Sequence, residues 1–295
     1  MNAIEIEGVS RSYEDFSVRN ISLTLPSGMI MGLVGENGAG KTTMINLIMN
    51  ALHADSGKIR VLGCDNTSPE FTAVKQDISV VADTVMFPDN FSAAQVSKML
   101  SYTYTNWNST VFDGYLDRFE LSRTKLIRDY SKGMAMKLSL AAALSHDSRL
   151  LLLDEPTGGL DPFFRDMVLD VLVEYTRSED RSILISSHIV SDLEHLCDLI
   201  AFMRRGELVM CDTKDHILEE YAVIRTSADM MLPISSVKAV RKGRYDTQVL
   251  MRREDIPRGI TPERSTLEDI IVFMGRSEDK VIPTYMTEHG TASLW

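Results

Sequence analysis

Cysteine is scarce in this chain: Cys64, Cys197 and Cys211 stand far apart in 295 residues, with no metal-ligand spacing. An odd, unclustered set of thiols fits a reducing compartment, and the three read as packing residues. Long hydrophobic runs are also missing. The longest, such as Leu150 to Leu153, are strand-length and end in charge, far short of the roughly 20 apolar residues that span a bilayer. The opening Met1-Asn2-Ala3-Ile4-Glu5 lacks a basic stretch followed by an apolar one, so secretion is not expected and the cytosol is. Positive charge is in deficit, with 31 Lys and Arg against 42 Asp and Glu, a net charge of −11 and a pI near 5.1. That balance argues against a broad phosphate-binding footprint, and no nucleic-acid partner is expected. Neither a long-period repeat nor coiled-coil heptads are present.

What remains is an ordinary globular composition, 44% hydrophobic, long enough for one large domain and an appendage. Its most telling stretch is Gly35-Glu36-Asn37-Gly38-Ala39-Gly40-Lys41-Thr42-Thr43, between an apolar strand over Met29 to Val34 and a helix of apolar period over Met44 to Met49. This is a P-loop in its proper context. Glycines let successive backbone N–H groups turn inward as an anion nest, Lys41 reaches the β- and γ-phosphates, and the Thr42 hydroxyl ligates Mg²⁺. The helix opening at Lys41 adds its positive end to the same phosphates. The chain is therefore expected to bind a nucleoside triphosphate together with Mg²⁺.

Ahead of the P-loop, Ala3 to Val9 and Ile21 to Leu25 alternate as half-exposed strands do; after its helix, Lys58 to Leu62 and Ile78 to Val81 add two more. These predict an antiparallel sheet layered beside the nucleotide core. From Asp83 to Ser145 the pattern turns helical: Ser92 can cap a helix over Ala93 to Tyr104, Val111 to Phe119 recurs at three and four, and Lys132 to Leu144 is rich in helix formers. Leu150 to Leu153 and Ser182 to Ser186 then read as strands buried on both faces, with Pro162 to Tyr175 as the helix between them. Beyond Asp212, Val237 to Val240 and Gln248 to Arg252 look like short strands. Ser265-Thr266-Leu267-Glu268 reads as a capping box before a helix carrying Leu267, Ile270, Ile271 and Met274.

The apolar strand Leu150 to Leu153 ends in Asp154-Glu155, two carboxylates at the carboxyl edge of the sheet beside the P-loop. They can divide the work, with Asp154 holding Mg²⁺ through water and Glu155 polarising the water that attacks the γ-phosphate. Tyr130-Ser131-Lys132-Gly133-Met134 opens the next predicted helix and forms a second anion site, which a single P-loop does not need. P-loop, serine–glycine signature, Asp154-Glu155, Gly159-Leu160-Asp161 and His188 after an apolar strand occur in that order. In this the chain resembles the nucleotide-binding subunit of an ABC transporter, over residues 1 to about 212.

The resemblance implies an α/β fold: a P-loop, RecA-like core with an antiparallel β subdomain and an inserted helical subdomain, here followed by a small α+β appendage. It implies residues 1–212 as the ATPase domain with the helical insertion at about 84–145; beyond it, the residue pattern reads as an accessory region over 213–276 and a tail over 277–295. It further implies a head-to-tail dimer enclosing two ATP molecules, each held by the P-loop of one subunit and the signature of the other, and because this chain carries both halves a homodimer is expected. Carried over by position, Tyr13 would stack on adenine, and Ser131 with Gly133 would meet the γ-phosphate across the interface. His188 would sense the γ-phosphate, with Glu155 as general base, and Asp161 would join the two sites. A separate membrane-spanning permease subunit is the expected partner, placing the chain at the inner face of the cell membrane.

Two positions depart from the family pattern. Asp83 stands where a glutamine is usual, with Gln76 too early and Gln95 inside a helix; an aspartate there can still order water around Mg²⁺. Lys132 replaces the commonest glycine, and Met134 the commonest glutamine, of the signature. That variant is similar to ATPases that export peptides, antibiotics or toxins. The alternative reading is a soluble ABC ATPase acting on the ribosome or nucleic acid. Its relatives bring two such domains or a long coiled coil, and this chain has neither.

Overall fold

The computed structural model describes residues 1–226, 231–233, 236–242, 247–275 and 291–293. It divides into two compact units, Met1–Cys211 and Asp212–Trp295. The first begins with β1 (Asn2–Ser12), β2 (Ser17–Pro26), β3 (Ile30–Val34), α1 (Lys41–Ile48), β4 (Ser56–Val61) and β5 (Cys64–Asp65). Next come a short α2 (Phe71–Val74), β6 (Ile78–Val81), and three helices, α3 (Ala93–Thr103), α4 (Ser109–Arg118) and α5 (Lys132–Ala143). The chain then runs through β7 (Leu150–Asp154), α6 (Pro162–Tyr175), β8 (Ser182–Ser187), α7 (Val190–Leu196), β9 (Leu199–Arg204) and β10 (Glu207–Thr213).

These elements make two sheets. One is antiparallel, in the order β2-β1-β4-β5; along β2, Ile21, Leu23 and Leu25 are buried while Ser22 and Thr24 are exposed, the two-residue alternation of a sheet with one wet face. The other runs β10-β9-β3-β8-β7-β6, and β9, β3, β8, β7 and β6 pair in parallel, so Ile78 to Val81, expected to continue the antiparallel sheet, is instead an edge strand of the parallel one. Every residue of β3, β7 and β8 is buried, as parallel strands covered on both faces must be. A shared apolar cluster, including Ile6, Val9, Leu33, Met44, Leu47 and Leu152, fills the space around α1. The parallel arrangement aligns the carboxyl ends of β3, β7 and β8, the edge where such sheets place their ligands.

Local chemistry fixes the helix starts that matter. Ser92 and Gln95 form a capping box at α3, in which the Gln95 carbonyl accepts the Ser92 N–H at 2.8 Å. Ser131 caps α5 by accepting the Met134 N–H at 3.2 Å. Asp161 caps α6 by accepting the Phe164 N–H at 3.0 Å, with Pro162 at the first helical position where its missing N–H costs nothing. The helical stretch inserted between β6 and β7 comprises α3, α4 and α5.

The second unit holds α8 (Lys214–Glu220), β11 (Tyr221–Thr226), β12 (Met231–Pro233), β13 (Val237–Lys242), β14 (Thr247–Arg252), α9 (Leu267–Gly275) and β15 (Thr291–Ser293). Strands β11-β14-β13 form an antiparallel sheet and β12 pairs with β15; Ile224, Leu232, Val249 and Met251 make a small core. The capping box of α9 lies one residue later than the sequence suggests. Thr266 caps the helix, its Oγ1 accepting the Asp269 N–H at 3.1 Å, while the Asp269 carboxylate accepts the Thr266 N–H at 2.9 Å. Ser265 instead accepts the Val223 N–H at 2.8 Å, tying the loop to β11. Most of the expected tail over residues 277–295 lies outside the described residues. Among those described, no helix is long and apolar enough to cross a membrane.

Candidate active site

The turn from β3 into α1 wraps one side of a cavity of about 420 Å³. Its walls are residues 37–43, Asp83, Asp154, Glu155 and the ring of Phe16. Two glycines make the turn feasible. Gly38 has φ of 83° and Gly40, at the cap of α1, has φ of 107°, conformations that cost a side-chain-bearing residue roughly 1–2 kcal/mol. A Cβ on Gly40 would also sit 3.1 Å from the Phe16 ring. Gly35 and Glu36 do not line the cavity; their carbonyls accept from Lys41 Nζ at 2.7 and 3.3 Å. Lys41 is itself buried, an ammonium held in place by backbone oxygens and a carboxylate.

That carboxylate is Glu155, whose Oε1 lies 3.1 Å from Lys41 Nζ. Its other oxygen, Oε2, lies 2.6 Å from His188 Nδ1 and accepts the His188 N–H at 3.3 Å. Glu155 has φ of 52°, a left-handed residue at the strand tip, and such strain persists where the surroundings over-determine it. Here they do: the Glu155 N–H donates to the Ser186 carbonyl and hydroxyl, each at 3.1 Å. The adjoining Asp154 is 4% exposed. One of its oxygens accepts from Thr42 Oγ1 at 2.7 Å and the other from Ser186 Oγ at 2.6 Å. Thr42 and Asp154 thus place a hydroxyl and a carboxylate oxygen together at the cavity floor. This all-oxygen pair suits Mg²⁺, which takes one or two protein ligands and keeps waters and phosphate oxygens for the rest. No group of three or more His, Cys, Asp or Glu that could cage a metal occurs among the described residues.

The structure therefore brings together Asn37, Gly38, Ala39, Gly40, Lys41, Thr42, Thr43, Asp83, Asp154 and Glu155, with His188 bonded to Glu155 from outside. Tyr13 is not among the lining residues. It is 41% exposed, stacked loosely on Phe16 with ring centroids 6.4 Å apart and capped by the Arg11 guanidinium, and it is Phe16 that faces the cavity. Ser131, Gly133 and Asp161 line no part of their own chain's cavity either; Ser131 and Asp161 are exposed helix caps. Asp83 lines the cavity and also pairs with Lys132 at 3.0 Å, while the Gln76 amide is committed to the backbone of Thr103 and Thr105, both at 3.1 Å.

Sequence reasoning passes over Phe16, Ser186 and a buried cluster of Thr157, Arg165 and Asp192. Ser186 was within reach, since it stands at the same parallel-strand tip as His188. The others carry no spacing signal and are recognisable only by tertiary contact.

Comparison with known proteins gives a consistent picture. The family model described as ABC transporter matches residues 18–158. The chain is 35% identical over 227 residues to the ABC transporter ATP-binding protein YtrB of Bacillus subtilis, covering 77% of each chain. It is 32% identical to the bacitracin transport ATP-binding protein BcrA of Enterococcus faecalis, over 70% of this chain and 68% of that one. Among solved structures, the ATP-binding subunit of an ABC transporter shares the fold with a TM-score of 0.67 at 23% identity, over 73% of this chain and 91% of that one.

Proposed function

The chain belongs to the ABC transporter ATP-binding family and is an ATPase, and we propose that two copies close around two ATP molecules to drive a separate membrane-spanning exporter subunit. The observation that carries the reading is the cavity itself: the P-loop turn walls it, a buried lysine backs it, and two carboxylates line it. In the proposed cycle the incoming β- and γ-phosphates take Lys41 Nζ, which frees Glu155 Oε1 to accept a proton from the attacking water. His188, already hydrogen-bonded to the other Glu155 oxygen, keeps the carboxylate aimed and is placed to meet the γ-phosphate. Mg²⁺, held by Thr42 and through water by Asp154 and Asp83, would neutralise charge developing on the phosphate oxygens.

Support for the proposed dimer comes from signature residues that do not line their own chain's cavity. Ser131, exposed, and Gly133, half-buried, stand at the start of α5, and neither lines the P-loop cavity of its own chain. A helix start with that exposure can serve the γ-phosphate of a second copy. Phe163, 89% exposed one residue beyond Pro162, adds an apolar surface next to Asp161 that a partner would cover.

Coupling to a permease is assigned to a groove of about 320 Å³ between the core and the helical insertion, lined among others by Met86, Phe87, Leu100 and Tyr104. Met86 on its wall is about four-fifths exposed. Such an apolar groove suits an amphipathic helix from a partner. An exported antibiotic or peptide is the proposed cargo, supported by the likeness to a bacitracin transport protein. This assignment places the chain at the inner face of the cell membrane.

Affinity purification of the tagged chain from mild-detergent extracts tests the assignment. A stoichiometric polytopic membrane protein is the expected companion; ribosomes or nucleic acid in its place would overturn the transporter reading. For the dimer, Glu155→Gln with ATP should elute at twice the monomer mass on a sizing column. Monomer elution in the presence of the copurified permease would refute it.

A further inference from the structure

Two links join the segment after β7 to the segment after β8, and they differ in burial. The outer link is Glu155–His188, whose imidazole is half exposed. The inner link centres on Asp192 in α7. Its Oδ2 accepts from Thr157 Oγ1 at 2.8 Å and its Oδ1 from Arg165 Nε at 2.6 Å; Arg165 Nη2 also contacts Oδ1 and donates to Ser191 Oγ at 3.2 Å. Asp192 and Thr157 are each 2% exposed. A carboxylate at that depth persists because both of its oxygens have donors, one of them cationic.

The three residues bracket the chemistry in sequence. Thr157 is the second residue after Glu155, Asp192 the fourth after His188, and Arg165 the fourth after Asp161. Between Thr157 and α6 the loop passes through Gly159 at φ of 73°, and Glu155 itself is left-handed. The backbone on either side of Thr157 therefore follows an irregular path, and the Thr157 hydroxyl ties it to α7 from within. The same carboxylate grips the first turn of α6, which Asp161 caps. A displacement of α7 would shift His188 relative to Glu155 and turn the Asp161 cap with it.

We propose that Asp192 is a positioning residue for ATP hydrolysis, fixing the spacing of Glu155 and His188 through Thr157 and Arg165. It touches no reacting atom. The inference rests on Glu155 being the general base. Its leverage lies in geometry, since misplacing a catalytic group by about 1 Å costs up to roughly 100-fold in rate.

The test uses the full chain and measures phosphate release per ATP-binding site. Asp192→Asn keeps the shape but removes the charge facing Arg165, Thr157→Val keeps the shape but removes the hydroxyl, and Thr157→Ser restores it. Thr157→Val should lower kcat about tenfold and Asp192→Asn about 30-fold or more, each with the KM for ATP within about twofold of the parent. Thr157→Ser should recover at least about half of the parental kcat, and the double variant should be no slower than Asp192→Asn alone, because both break one link. Normal kcat in the folded single variants, a loss carried by KM, or failure of the serine rescue would overturn the proposal. Should Asp192→Asn fail to fold by its circular-dichroism melt, the two Thr157 variants decide alone. Glu155→Gln in the same assay separates the two ideas. Normal turnover there refutes the general-base reading; an inactive Glu155→Gln beside fully active Thr157 and Asp192 variants refutes only the positioning role.

Discussion

At the amino end of β7, Ser79 Oγ lies 2.6 Å from the Ala143 carbonyl, 2.7 Å from His146 Nε2 and 2.8 Å from Ser148 Oγ, and Ser148 in turn lies 3.1 Å from the Tyr175 hydroxyl. At its carboxyl end, Asp154 and Glu155 meet Thr42, Ser186, Lys41 and His188. Both ends bury polar side chains, and each includes a serine and a histidine, His146 buried and His188 half exposed. The amino end is neutral: burial pushes His146 down to about 4 and Tyr175 up to about 12, so neither is ionised near neutrality. His146 is also stacked on Tyr104, with ring centroids 4.0 Å apart. The carboxyl end gathers a lysine and two carboxylates around an open cavity. Neutral groups engaged with one another hold the sheet to its helices, whereas charged groups left facing a cavity are available to a ligand.

The first way to break this contrast is Asp154→Asn. If the carboxyl end is the chemical one, Mg²⁺-dependent phosphate release should fall by on the order of 100- to 1,000-fold, since a metal site supplies several kcal/mol to the transition state. Nucleotide binding in EDTA should change little, and a colorimetric phosphate assay beside an equilibrium binding titration checks both.

The amino end should answer to pH rather than to ATP. Because the His146 pKa lies near 4 in the folded chain and near 6.5 unfolded, the unfolded state binds the extra proton first. Stability is then full above about pH 6.5 and falls as pH drops toward 4, by up to about 3 kcal/mol. His146→Phe should flatten that part of the profile while turnover per folded molecule at pH 7.5 stays within about twofold. Urea midpoints between pH 4 and 7.5 supply the comparison.

The smallest effect should come from the exposed pair Lys132–Asp83, where both side chains are about half exposed or more. Lys132→Ala should cost under about 1 kcal/mol in thermal stability, because exposed ion pairs are screened and lose side-chain entropy. A larger loss would place the pair among the structural elements instead.

How legible each end was in the sequence differs for a physical reason. At the carboxyl end the residues cluster at strand tips in fixed local spacings, so Gly35 to Thr43, Asp154-Glu155 and His188 could be read directly, and α6 follows its expected span from Pro162 to Tyr175. Strand β9 was not foreseen. Its six residues follow the Cys197-Asp198 turn as a short apolar run, which periodicity alone does not separate from a buried helix segment. Phe16 is one aromatic in a polar loop, and Asp192 one acid on a short helix. What distinguishes them is contact with Gly40 and with Arg165, made across the fold. The shifted cap of α9 reflects two neighbouring hydroxyls, Ser265 and Thr266, that local sequence makes nearly equivalent and β11 tells apart.

The most direct test of the account is to measure ATP binding and phosphate release side by side for the parent chain and Glu155→Gln, in one preparation with Mg²⁺ present. The account predicts that binding persists while release falls by about 100-fold or more, as loss of a general base would cause. Release within a fewfold of the parent at undiminished binding would contradict it, and would move the proton-accepting role away from the tip of β7.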